Sequence, residues 1–151
     1  SAEAWERFRT FNDTQLKELC GYGPDLLWFD GDWDVAEEYW DMKGMRQKLK
    51  GWAPNVILNA RMGEYGDYDT PEQGIPFAQL DGPWELCMTM SPGWGYSERM
   101  QASTDNHIDT PYLVQLLSET VAMGGNLLLN VSPKPDGTIP EWQVKSLKKI
   151  G

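Results

Sequence analysis

Apolar residues recur along the chain with two different periods, and the switches between them outline its elements. Ala4, Trp5, Phe8 and Phe11 fall at helical spacing. Asn12-Asp13-Thr14, residues that favour helix caps, predict a break there. Gln15 to Cys20 then sets Leu16, Leu19 and Cys20 on one face of a second helix, stopped by Gly21 and Gly23. The short apolar run Leu26 to Phe29, bounded by Pro24 and Gly31, predicts a buried strand rather than a helix. Asp34 predicts the cap of a helix with Val35, Tyr39, Met42, Met45 and Leu49 along one side. Its charges suit the helix dipole, with Glu37 and Glu38 early and Lys43, Arg46, Lys48 and Lys50 late. Gly44 is tolerated within it at some cost.

Asn55 to Arg61, after Pro54, reads as a second strand, Val56-Ile57-Leu58-Asn59-Ala60-Arg61. Met62 to Asp81 keeps no period, and a loop of about 20 residues is more often functional than not. Trp84 to Met90 is the third strand, followed by a Gly/Pro/polar loop over Ser91 to His107. Asp109 and Pro111 open a helix with Leu113, Leu116, Leu117, Thr120 and Val121 on its apolar face, ended by Gly124-Gly125. Asn126 to Val131 is nearly all apolar and predicts a fourth strand buried on both faces. Ser132 to Gly137 is a turn, and Pro140 starts a last helix.

Helices alternating with near-continuous apolar strands imply a parallel sheet. An open doubly wound sheet and a (β/α)8 barrel both satisfy that pattern. No GxGxxG or GxxxxGK(S/T) phosphate fingerprint is present, which removes the usual function of the open sheet. Asp30 and Arg61 end strands, and the longest loops follow strand ends, where barrels carry their catalytic groups. The expected fold is therefore α/β, a C-terminal portion of a (β/α)8 TIM-like barrel. A whole barrel needs about 250 residues, so residues 1–151 are expected to be one partial catalytic barrel domain. The opening at Ser1, without a Met and already inside a helical pattern, points the same way.

Charge narrows the partners. Lys plus Arg is 13 against 23 Asp plus Glu, a formal net charge of -10, which argues against nucleic acid or an anionic membrane. No apolar run approaches the roughly 20 residues of a spanning helix, so no membrane insertion is expected. Eight Trp and six Tyr serve either a core or the stacking of sugar faces. Cys20 and Cys87 have no metal spacing and read as free core thiols.

The chemistry available is that of carboxylates. With a single histidine, His107, multi-histidine zinc sites are excluded, and His107 reads as a surface or cap residue. Asp67, Asp69 and Glu72 do not follow a calcium-loop spacing. No metal or cofactor is expected. Paired-carboxylate glycoside hydrolysis fits an acidic, aromatic-rich chain, with one carboxyl protonated and one ionised. On the first strand Leu26, Trp28 and Asp30 share a face, opposite Leu27 and Phe29. A carboxylate ending a buried strand is costly unless something binds it, so Asp30 is the candidate ionised member. Asp32 and Asp34 read as solvated or capping. Glu64, Asp67, Asp69, Glu72 and Glu85 remain candidates for the acid; Pro71 stiffens the chain at Glu72. Arg61 supplies a fixed cation of fork geometry.

Pro24-Asp25-Leu26-Leu27-Trp28-Phe29-Asp30-Gly31-Asp32-Trp33 resembles the nucleophile strand of the α-L-fucosidases of glycoside hydrolase family 29. Asn59-Ala60-Arg61 resembles the end of the next strand, and Gly66-Asp67-Tyr68-Asp69-Thr70-Pro71-Glu72-Gln73 the family's acid/base loop. Gly124 to Pro133, with Asp136-Gly137-Thr138-Ile139-Pro140, is similar to its C-terminal barrel signature. The resemblance implies Asp30 as nucleophile and Glu72 as general acid/base of a retaining double displacement, with carboxyl groups about 5–5.5 Å apart. It implies that Trp28 and Arg61 contact the fucose and that Trp94 packs on the sugar's methyl side. The implied substrate is a fucosylated glycan, and the implied setting secreted, periplasmic or lysosomal. It also implies that the N-terminal barrel strands and any C-terminal β-sandwich lie outside this chain, which alone is then expected to be inactive. The alternatives are a fucose-binding module and a fold fragment without independent function.

Overall fold

A computed structural model describes residues 1–99 and 107–151. The chain divides into two compact units, Ser1–Asp69 and Thr70–Gly151.

The first unit opens with α1, one continuous helix over Ala2–Cys20. The break expected at Asn12-Asp13-Thr14 does not occur. Thr10 and Thr14 turn their hydroxyls back onto the carbonyls of Glu6 and Thr10, and Asp13 pairs with Lys48, so these polar side chains find partners without ending the helix. Strand β1 covers Leu26–Leu27, and a 3-10 turn follows over Asp32–Asp34. The single helix expected from Asp34 is two, α2 over Glu37–Trp40 and α3 over Met42–Trp52. Asp41 separates them in the left-handed region (φ 52°), and its carboxylate caps α3 by accepting from the Gly44 amide. The kink puts Tyr39 outside, while Met42, Met45 and Leu49 are buried as the spacing predicts. Trp40 is clasped instead by Trp5 and Phe8 of α1, at ring-centroid distances of 5.1 and 6.0 Å.

Strand β2, Ile57–Leu58, pairs in parallel with β1, Leu26 opposite Ile57 and Leu27 opposite Leu58. The ladder is much shorter than the apolar runs suggest. The core beneath it joins Leu16, Cys20, Met42, Met45, Leu49, Val56, Leu58 and Met62, with Leu27 and Phe29 packed against it. Alternation therefore holds: Leu27 and Phe29 face the core, and Leu26 and Ile57 face away, 40% and 45% exposed. After β2 the chain does not wander. Tyr68 bridges Asn59 in parallel, and Gly66 lies so close to β2 that a Cβ there would stand 2.4 Å from the Ala60 Cα. Only glycine permits that approach.

The second unit is built on a parallel pair, β3 (Glu85–Thr89) and β4 (Asn126–Asn130). Between them runs α4, Thr110–Ala122, its N-terminus capped by Asp109 and carrying Pro111 in the first turn. Leu113, Leu116 and Thr120 are buried; Leu117 and Val121 are not. The last helix, α5, spans Glu141–Ile150 after Pro140. Trp84, Leu86, Met88 and Leu116 form the core, with Leu127 and Leu129 against it. Gly125 permits the packing of Trp84, whose ring would meet a Cβ at 2.4 Å. The fourth strand is not buried on both faces: Leu128, between Leu127 and Leu129, is 41% exposed. Cys20 and Cys87 are buried and are not joined in a disulfide. The expected loop from Ser91 to His107 lies partly outside the described residues. His107, at its far end, stacks on Trp142 at 3.8 Å rather than capping or facing solvent alone.

Candidate active site

The end of β1 is built by side chains where the backbone ladder stops. Asn59, fully buried, accepts a hydrogen bond from the Phe29 amide at 2.7 Å and donates one to the Phe29 carbonyl at 2.9 Å. One amide side chain thus continues the pairing of β2 with β1 by one more residue. Asp30 follows immediately. It is not the buried carboxylate expected from the apolar run: its side chain is 59% exposed, because the strand ends here. Arg61 reaches it, Nη1 to Oδ1 at 2.8 Å, with the guanidinium carbon 4.5 Å from the centre of the Trp28 ring. The Arg61 side chain is only 12% exposed, so its charge is fixed in place beneath an accessible carboxylate. Trp33 stands 5.9 Å from the same guanidinium and is itself exposed. Asp32 is not merely solvated; its carboxylate accepts from the Gly63 amide and ties the turn after Asp30 to the chain after β2. Trp28, Asp30 and Arg61 therefore come together as their positions suggested.

Asp67, weighed as a proton donor, is an anchor instead. Its carboxylate accepts from Arg46, Lys50 and the Leu58 amide. Burial alone would raise its pKa, but those hydrogen bonds and the Arg46 charge outweigh it and hold the group at about 2. A carboxyl so strongly acidic cannot donate a proton near neutrality.

In the second unit Glu72 is held by strand-like pairing rather than by a free loop. The Cys87 amide donates to the Pro71 carbonyl and the Gln73 amide to the Cys87 carbonyl, both at 2.9 Å, so Glu72 bridges the middle of β3. Gln73 adopts a left-handed φ of 59°, and its amide group meets the Thr89 hydroxyl at 3.2 Å. Glu72 itself is exposed. Trp94, 42% exposed, follows the C-terminal end of β3, and its carbonyl accepts from Asn130 at the end of β4. Beneath it the buried hydroxyls of Ser91 and Ser132 meet at 3.1 Å, and the Ser132 amide donates to Gln143. Among the described residues no three His, Cys, Asp or Glu side chains gather as a metal site would need. No described helix is long and apolar enough to cross a membrane.

Sequence reasoning missed Asn59 as a structural partner of Phe29, and also Gln73, Thr89 and Asn130. For Asn59, Thr89 and Asn130 the available signal was an amide or hydroxyl inside or closing an otherwise apolar strand, a position where a polar group must find a partner; Gln73, in a loop, gave none.

The plasma α-L-fucosidase of Homo sapiens is 35% identical over 148 residues, covering 91% of this chain and 31% of that protein. The α-L-fucosidase of Dictyostelium discoideum is 36% identical over 147 residues, covering 91% and 32%. The chain thus spans about a third of the length of the curated relatives it matches. Among solved structures, α-L-fucosidase isoenzyme 1 from Paenibacillus thiaminolyticus superposes with a TM-score of 0.85 at 30% identity, over 96% of this chain and 38% of that one. An α-L-fucosidase from Bacteroides thetaiotaomicron, trapped as a covalent intermediate with 2-fluoro-fucosyl fluoride, gives 0.84 at 28% identity, over 97% and 39%. The family model described as Alpha-L-fucosidase matches residues 1–151, and the chain belongs to that family.

Proposed function

We propose that the full-length protein is a retaining α-L-fucosidase, and that this chain is the C-terminal portion of its (β/α)8 catalytic barrel. Asp30 is the nucleophile and Glu72 the general acid/base. Trp28 and Arg61 contact the fucose, and Trp94 packs on the sugar's methyl side. In the first step an Asp30 oxygen bonds to the anomeric carbon as the glycosidic C–O bond breaks, and the leaving oxygen takes the Glu72 proton. In the second, Glu72 removes a proton from water, which attacks the anomeric carbon and releases fucose and the Asp30 carboxylate. The substrate is a glycan bearing terminal α-linked fucose. The plasma enzymes among the relatives favour a secreted or lysosomal setting.

The observation that carries this reading is the Asp30–Arg61 pair at 2.8 Å over the Trp28 ring. The charge-assisted hydrogen bond from a nearly buried guanidinium fixes the direction in which the carboxylate points, and the exposed face of Asp30 leaves it open to a sugar. The trapped covalent intermediate of the Bacteroides relative supports the same two-step chemistry. The test is incubation of the full-length protein with 2-deoxy-2-fluoro-fucosyl fluoride and peptide mapping. A label on Asp30 is expected; a label on another residue, or turnover with inversion at the anomeric carbon, overturns the assignment.

The 151-residue chain by itself is proposed to be inactive. Leu26 and Ile57 pair across the β1–β2 ladder and are both 40% or more exposed, an apolar sheet face that a complete barrel would cover.

A further inference from the structure

We propose that Asn59 is a positioning residue for the nucleophile, acting as a clip that sets where the chain leaves β1 at Asp30. The inference rests on the reading of Asp30 as nucleophile and goes beyond it. Five observations lead there. The β1–β2 ladder runs to Leu27 and Leu58, two residues short of Phe29. The Asn59 side chain makes the reciprocal pair of hydrogen bonds to both backbone polar groups of Phe29, at 2.7 and 2.9 Å. It is fully buried, so its removal takes the side-chain partner from both the Phe29 amide and the Phe29 carbonyl inside the protein. The backbone of the same residue bridges Tyr68, in the segment that leads toward Glu72. Two residues further on, Arg61 reaches back to Asp30. Asn59 therefore stands between the strand end bearing the carboxylate and the strand end bearing its cation, and sets their spacing from within.

A carboxamide suits this place because it carries a donor and an acceptor on one rigid plane. An aspartate is nearly isosteric, but only its protonated form can both donate to the Phe29 carbonyl and accept from the Phe29 amide. Burial favours that neutral form at low pH. Once ionised, it sets a carboxylate against a carbonyl oxygen and loses the clip.

The experiment uses the full-length protein with Asn59→Asp and Asn59→Ala. Steady-state kinetics on an aryl fucoside are measured from acid to neutral pH, with the rate of labelling by 2-deoxy-2-fluoro-fucosyl fluoride. Displacing a reacting group by about 1 Å costs on the order of 100-fold. Asn59→Ala is thus expected to lower kcat and the labelling rate together by about that factor, with KM little changed. Asn59→Asp is expected to approach wild-type kcat at acid pH and to lose it as pH rises, through an ionisation that the wild type lacks. If Asn59→Ala does not fold, the pH profile of Asn59→Asp carries the test. Unchanged kcat and labelling rate in the folded variants, with only a lowered Tm, overturns the clip. Labelling of the wild type at a residue other than Asp30 overturns the nucleophile reading instead.

Discussion

Asp67→Asn removes one charge and almost no volume, which makes it a clean probe of what holds the chain after β2. The carboxylate takes hydrogen bonds from Arg46 at 2.5 Å, from Lys50 at 2.9 Å and from the Leu58 amide at 2.9 Å. The Asp67 amide in turn donates to the Leu58 carbonyl. With the side chain 24% exposed, these interactions are only partly screened. They overcome the opposing effect of burial and lower the pKa from 3.8 to about 2. At about 1.4 kcal/mol for each tenfold change in proton affinity, the ionised group contributes about 2 kcal/mol to the folded state. Because the folded pKa is the depressed one, that contribution is complete above about pH 5 and disappears as pH falls through about 2. Asparagine cannot supply it at any pH and turns its NH2 toward either Arg46 or Lys50. Native-state hydrogen exchange of the full-length protein, read on peptides covering residues 56–69, isolates the effect from the rest of the chain. The variant is expected to exchange about 30-fold faster at pH 7, the equivalent of about 2 kcal/mol. The difference between variant and wild type should shrink steadily below pH 4. A loss that is the same at pH 2.5 and pH 7, or no loss at pH 7, refutes the assignment of Asp67 as an ionic anchor.

Arg61→Lys keeps the charge but removes the planar fork and the stacking over Trp28. kcat/KM for an aryl fucoside should fall at least about 10-fold without a large change in Tm, the scale of one lost charge-assisted hydrogen bond. Gly125→Ala places a Cβ 2.4 Å from the buried Trp84 ring, and overpacking of that kind costs about 1–3 kcal/mol, read as a lower Tm of the full-length protein. Asn130→Ala frees the Trp94 carbonyl at the end of β4. It should raise KM for fucosides more than it lowers kcat, whereas a fall in kcat alone would count against Trp94 as a sugar platform.

The sequence by itself determined the element types, because periodicity registers which side of a segment meets a core. Leu113 and Leu116, Met42 and Leu49, and the alternation of Leu27 and Phe29 against Leu26 were all readable at that level. So was the chemistry of the strand end: a carboxylate after Trp28-Phe29 and an arginine closing the next strand need no coordinates to stand out. Only the tertiary structure decided how those ends are held. Thr14 continues a helix where its type suggested a stop, since a hydroxyl can bond the preceding turn as well as cap a new helix. Asp41 breaks a helix whose apolar pattern runs straight through it. Asp67 and Glu72 look alike as loop acids, yet one is neutralised by Arg46 and Lys50 and the other is pinned to β3 by its neighbours' backbones. Periodicity carries no information about partners distant in the chain, and the fate of a polar residue depends on those partners. Asn59 is the plainest case: within its own strand it is an interruption, and only the approach of Phe29 turns it into the piece that completes the strand end beside Asp30.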